Sequence, residues 1–430
     1  MSNVCAFLSC LVVALAAAAA PAADGAAFAD FDRRAKAGER LNVVFFGASL
    51  TWGANATDHA TTSYRARLAE RLEQRYPQAH FFFKDAAIGG TGSQLGVFRV
   101  ERDVLRWKPD LVFLDFSAND DIYSDDTEML ASYEAIVRRL VSEAKVPVVQ
   151  VAFPFQWNIK REDLPKMKRL AAHRAIAEAY GCGWGDAITL IIDRVEAGSA
   201  KISALWDSDP VHPGDTGYAL FAEAAWIGFT AALDAGKVCR APAQMLHAAT
   251  YTTAKRIRLD GLGALPAGWT TGKPHLTSIY YDFLMSRWVD GLVVANSRRE
   301  RKDAQGNPEK GADGQVAREA QPVASLKLSV QASAILLFGE ASESSGRFKV
   351  LVDGQPVVNH SAQTKGDVHF DANRWKKGSG HLVIEVARGL DPEVAHSVEI
   401  VPVFTDGQDQ ELRLESICVA GNRATVVLVP

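Results

Sequence analysis

From about residue 41 to 236 the chain alternates between two hydrophobic rhythms. Short apolar runs stand at LNVVFF (41–46), HFFFKDA (80–86), LVFLDF (111–116) and VPVVQVAF (146–153), with a weaker one near GCGWGDA (181–187). Between them lie SYRARLAERLEQRY, MLASYEAIVRRLVSEA and LPKMKRLAAHRAIAEAY, in which apolar residues recur at i, i+3 and i+4 with charges opposite. That spacing is the period of an amphipathic helix. Nearly continuous apolar strands separated by helices predict a parallel sheet covered on both faces, a three-layer α/β/α domain. The run TGYALFAEAAWIGFTAALDAG (216–236) predicts its closing helix.

The rhythm changes after about residue 238. ASLKLSVQASAILLFGEA, GRFKVLVDGQPVV, GHLVIEVARGL, HSVEIVPVF and LRLESICVAG alternate or run apolar, punctuated by Gly, Asp and Asn. This pattern predicts an antiparallel β-sandwich. The charged stretch SRRERKDAQGNPEKGADGQ (297–315) reads as a solvated loop. For residues 240–296 two placements stay open, the start of the sandwich or a return onto the first domain. The Ala-rich N-terminus, MSNVCAFLSCLVVALAAAAAPAADGA, reads as a signal peptide over 1–23, although no Lys or Arg precedes its apolar run. The expected organisation is therefore a leader over 1–23, an α/β domain over 36–238 and a sandwich over 239–430. Export to the periplasm or cell exterior follows. An uncleaved membrane anchor is the alternative.

Length supports two domains, since 430 residues exceed one ordinary core. Lys plus Arg total 47 against 51 for Asp plus Glu, a net charge of −4 that argues against a nucleic-acid partner. Outside the leader the cysteines are Cys182, Cys239 and Cys418, odd in number and widely spaced, so no disulfide scaffold is expected and at most one bridge. The lack of a C-x-x-C pair argues against a thiolate zinc site. The oligomeric state is not legible.

Candidate chemistry falls where a parallel sheet binds its ligands, at the carboxyl ends of the strands. GASLTWG follows the first strand, AAIGGTGSQLG the second and SANDD the third, while WDSDPVHPGD lies far downstream. A serine hydrolase needs an exposed hydroxyl, a histidine to take its proton, a carboxylate to orient that histidine, and donors for the oxyanion. Ser49 is the candidate nucleophile, His212 the base and Asp209 its orienter. The candidate oxyanion donors are the N–H groups of Ser49 and Gly90 and the side-chain amide of Asn119. Thr51 stands where a G-x-S-x-G elbow would have its second glycine, so the α/β-hydrolase elbow is not supported.

Together these blocks resemble the SGNH, or GDSL, hydrolase superfamily. GASL corresponds to its Ser block, IGGTGS to its Gly block, SAND to G-x-N-D and DPVHP to D-x-x-H-P, in order over about half the chain. The resemblance implies a flavodoxin-like fold and ester hydrolysis through an acyl-serine, with no cofactor or metal. It carries Ser49, Gly90, Asn119, Asp209 and His212 into the roles given above, Gly89 being the neighbouring alternative to Gly90. Two residues depart from the signature: Ala48 replaces the Asp of G-D-S-L, and Ser117 the Gly of G-x-N-D. The second half resembles jelly-roll modules that accompany some carbohydrate acetyl esterases.

The expected partner is an acylated carbohydrate or another small ester, with no nucleic acid and no lasting membrane insertion once the signal is cleaved. Trp52, Trp157 and Trp206 are candidates to stack on a sugar ring, and packing aromatics are their plain alternative. Three rival readings stand beside the acetylesterase. One is a lipid or thioester acyl hydrolase. Another is a binding protein with a degenerate hydrolase domain. The last is a divalent-metal site on Asp207, Asp209, His212 and Asp215.

Overall fold

The computed structural model describes residues 25–275, 287–360, 364–372 and 379–429. The expected signal peptide lies outside them. Five strands, β1 (Arg40–Gly47), β2 (His80–Ala87), β3 (Leu111–Leu114), β4 (Val148–Ala152) and β5 (Gly183–Asp186), form a parallel sheet in the order β2–β1–β3–β4–β5. This is the flavodoxin-like order, with its switch point beside β1. β3 and β4 are buried at every position, as a sheet covered on both faces requires. The covering helices are α1 (Phe28–Lys36), α2 (Ser49–Trp52), α3 (Tyr64–Arg75), α4 (Ser93–Asp103), α5 (Thr127–Arg139), α6 (Lys168–Ala179), α7 (Ala187–Glu196), α8 (Ile202–Leu205) and α9 (Asp215–Asp234).

The first domain starts earlier than the sequence pattern suggests. α1 buries Phe28, Phe31 and Ala35, and Ala26–Ala27 pairs antiparallel with Val238–Cys239. Only three of its nine residues face inward, directly after an Ala-rich run of sequence that hides their spacing. α4 also escaped the pattern. It is buried almost all round, Arg99 included, and so has no polar stripe to set against an apolar one.

The second domain comprises β6 (Ala254–Arg258), β7 (Trp269–Gly272), β8 (Leu292–Asn296), β9 (Leu326–Gln331), β10 (Ala334–Ser342), β11 (Arg347–Val352), β12 (Ser379–Ala387), β13 (His396–Val403), β14 (Glu411–Ala420) and β15 (Thr425–Val429). An inner antiparallel sheet runs β12–β10–β14–β8–β7, with β6 also on β14. The outer sheet runs β11–β13–β9–β15. Residues 254–272 and 292–296 thus begin the sandwich. The stretch before them returns to α5, where the buried Glu134 carboxylate accepts from Leu246 N and His247 N at 2.8 Å.

The central strands of the inner sheet, β8, β10 and β14, are buried on both faces. Val293, Ile335, Leu337, Ile417 and Val419 meet the outer sheet, while the alternating Leu292, Val294, Leu336, Phe338 and Cys418 join the core of the first domain. That explains apolar runs such as AILLF in an antiparallel strand. The 297–315 stretch, read above as a solvated loop, lies within a hairpin instead. Arg298–Glu300 pairs with Arg318–Ala320, braced by Arg299–Glu319 and Arg301–Glu309 ion pairs. Its exposed faces carry charges, so no hydrophobic alternation marked it. Cys182, Cys239 and Cys418 are buried free thiols.

Candidate active site

The site assembles where β1, β2 and β3 end side by side. Gly47 pairs with Ala87 and Phe46 with Leu114, and Ile88 N donates to Gly47 O. The loops bearing Ser49, Gly90 and Asn119 are therefore neighbours. Gly47 is required sterically: a Cβ there would stand 2.1 Å from Thr51 Oγ1 and 2.4 Å from Asp115 O. Beneath the turn, the buried Arg99 donates to Gly47 O and Ala86 O, each at 3.2 Å, and to Asp103 at 2.9 Å. It braces the ends of β1 and β2 together.

Ser49 opens α2, 3 % exposed. Its Oγ lies 3.1 Å from His212 Nε2, and His212 Nδ1 lies 3.2 Å from Asp209 Oδ2. The two carboxylate oxygens divide their work. Asp209 Oδ1 accepts the N–H groups of Val211 and His212 at 2.7 and 2.8 Å, which fixes the loop, and Oδ2 faces the imidazole. Burial disfavours the Asp209 charge, but these donors, the Asn55 amide and the facing histidine together hold its carboxyl below the usual range. For His212 burial wins. It lowers the pKa from the ordinary 6.5, and Asp209 only partly offsets it. A neutral imidazole at neutral pH is the form that can accept a proton from Ser49.

Gly90 has a φ of +71°, a left-handed conformation that suits glycine. Its loop is tied to the Asn119 loop by Asp120, whose Oδ1 accepts Ser93 N at 2.8 Å. Asn119 is half-buried. From the second domain, His381 Cε1 would lie 3.9 Å from a Cβ at Gly90, so the sandwich reaches the rim of this loop.

Of the three tryptophans, Trp52 and Trp206 are packing residues, 6 % and 4 % exposed. Trp52 lies against His59 and Trp206 against Phe221, so neither offers a ring face to a sugar. Trp157 is 47 % exposed and lies beside Phe155, on a turn joined to the Asp209–His212 loop by Gln156 N donating to Pro210 O at 2.9 Å. The metal reading is not supported. Asp215 is taken by Thr57, and no group of three or more His, Cys, Asp or Glu that could hold a metal ion occurs among the described residues.

Two residues of the site carried no motif in the sequence. Asn55 donates its amide to Asp209 Oδ2 at 2.6 Å. Asp115 is fully buried under the turn, where its Oδ1 accepts Ser117 N and Oγ at 3.1 and 2.9 Å. Burial raises its carboxyl to about 7 despite those donors, and Asp120 likewise to about 6. Ser117 Oγ also accepts Phe153 N at 2.9 Å, so the serine that replaces the signature glycine ties the Asn119 loop to the end of β4.

A parallel sheet in flavodoxin-like order, with serine, histidine and aspartate in series on its carboxyl edge, is the arrangement that the resemblance to SGNH-type hydrolases implies. Residues 45–220 match the model of the GDSL-like Lipase/Acylhydrolase family. Comparison with curated protein sequences gives no match. Over 92 % of this chain and 95 % of theirs, two crystal structures of a two-domain esterase (CEX) active on acetylated mannans are similar, at a TM-score of 0.66 with 23 % identity and 0.67 with 25 %. The second was co-crystallised with mannopentaose.

Proposed function

We propose that this protein is an exported serine esterase that removes acetyl groups from a polysaccharide or oligosaccharide through an acyl-Ser49 intermediate. The observation that carries the reading is the continuous series Ser49 Oγ, His212 and Asp209, at 3.1 and 3.2 Å. His212 takes the Ser49 proton as Oγ attacks the ester carbonyl, and Asp209 stabilises the resulting imidazolium. The Ser49 and Gly90 N–H groups and the Asn119 amide receive the oxyanion. His212 returns the proton to the leaving alcohol, then activates the water that releases acetate. Residues 45–220 supply family support for acyl hydrolysis. Whole-chain likeness to an esterase active on acetylated mannans makes such mannans the first polymer to test. Trp157 is the platform proposed to stack on a sugar ring beside the site.

The test is acetate release by the full chain from acetylated mannan and xylan oligosaccharides, set against long-chain acyl esters. Release from an acetylated oligosaccharide that disappears in Ser49→Ala is the expected result. Faster turnover of long-chain esters would favour a lipid acyl hydrolase. Binding of the oligosaccharide without turnover would favour a non-catalytic role.

A further inference from the structure

The chain following the nucleophile turn folds back on the Asp–His loop. Residues 53–58, GANATD, are held there by Thr57, whose N and Oγ1 donate to Asp215 at 2.9 and 2.6 Å, and by Tyr218 OH donating to Ala54 O at 2.6 Å. Between these ties stands Asn55, at φ +68°, a left-handed position that asparagine tolerates better than most residues. Its side-chain nitrogen faces Asp209 Oδ2 at 2.6 Å, Ser208 Oγ at 2.9 Å and His212 O at 3.3 Å. A carboxylate and a carbonyl only accept, so the amide end facing them is the NH2.

Asp209 Oδ2 is also the oxygen that faces His212 Nδ1. Oδ1 is held by the loop's own N–H groups, so Asn55 pins the second oxygen and prevents the carboxylate from turning away from the imidazole. We propose that Asn55 is a positioning residue of the Ser49–His212–Asp209 site. It fixes the Asp209 carboxylate toward His212 and couples the nucleophile turn to the base loop. This inference rests on the catalytic reading of those three residues. The Asp209 side chain is 38 % exposed, so solvent screens the contact and a moderate effect is expected. Other acids nearby face elsewhere: Asp215 holds Thr57, Asp58 accepts from Ala60 and Thr61, and Asp207 lies against Gly214.

Asn55→Gly removes the amide while keeping a residue suited to the left-handed backbone. Asn55→Asp keeps the shape but sets a second carboxylate against Asp209. Thr57→Ala cuts a different tie of the same segment and serves as the control. In the full chain, kcat on a simple acetyl ester should fall about tenfold in Asn55→Gly and further in Asn55→Asp, with KM within twofold. Losing a donor, then gaining a negative charge, makes the carboxylate a stronger partner for imidazolium. The acid limb of kcat/KM should therefore move to higher pH in the order wild type, Asn55→Gly, Asn55→Asp, and stay in place in Thr57→Ala. A segment that merely props the loop would not order the limb by charge. If Asn55→Gly does not fold, Asn55→Asp decides. A kcat within threefold of wild type and an unmoved limb in the folded variants overturn the inference alone. A wild type without Ser49-dependent activity overturns the catalytic reading and this inference with it.

Discussion

The parallel sheet of the first domain and the inner sheet of the sandwich both bury their central strands on both faces, but they reach that state differently. The parallel sheet of the first domain is covered by helices from its own segment of chain. The inner sheet of the sandwich is covered on one face by the outer sheet and on the other by the first domain, where Leu292, Val294, Leu336 and Phe338 enter the larger core. Polar ties reinforce this contact, with Arg102 paired to Asp290 at 2.8 Å and Arg388 to Asp126 at 3.1 Å. The sandwich is therefore built as part of one body with the first domain, unlike a binding module on a flexible tether.

The most forceful way to break this comparison is to delete residues 240–430. The first domain would then expose the apolar surface that meets the inner sheet, a patch of the kind that drives aggregation. Truncated chain should be insoluble, or soluble only with a melting transition far below that of the full protein. A soluble fragment melting at the wild-type temperature would show the two sheets to be independent.

A smaller effect separates the electrostatics of the two ends of the site. His212 is lowered from 6.5 because burial outweighs its carboxylate neighbour. In the proposed mechanism the neutral form is the base, so kcat/KM should fall as pH drops through a midpoint below 6.5. A midpoint above 6.5 would mean that Asp209 dominates after all.

The smallest expected effect is on stability. Asp115 is raised to about 7 in the folded protein from an ordinary 3.8. Below about pH 4 the carboxyl is protonated in both folded and unfolded chains, so its full contribution is present there. As pH climbs toward 7 the unfolded chain loses its proton first and that contribution is lost. Asp115→Asn keeps the acceptor for Ser117 and cannot ionise. Thermal melts should show the variant more stable than wild type at pH 8, the difference closing by pH 4. A difference that does not change with pH would place the Asp115 charge elsewhere.

Legibility followed how each element is buried. The five parallel strands could be read because strands covered on both faces are continuous apolar runs. α1 was hidden by the Ala-rich run before it and α4 by its all-round burial, while the charged hairpin had no apolar face to betray it. Ser49 could be proposed because its block follows the first apolar strand, and Asp209 and His212 because they share one short block just before the closing helix. Asn55 gave no signal, being an ordinary turn asparagine whose partner lies 154 residues away. Asp115 looked like the polar end of a strand. Its carboxylate is met by Ser117, which the Phe153 backbone in turn holds from a second loop.

The most direct measurement of the central claim is labelling of the full chain by a fluorophosphonate, with the adduct located by peptide mass spectrometry. A single adduct on the peptide containing Ser49 is expected, abolished in Ser49→Ala and slowed on the order of 10³-fold or more in His212→Ala. No adduct, an adduct on another residue, or a rate in His212→Ala within tenfold of wild type would contradict the assignment of Ser49 as a nucleophile activated by His212.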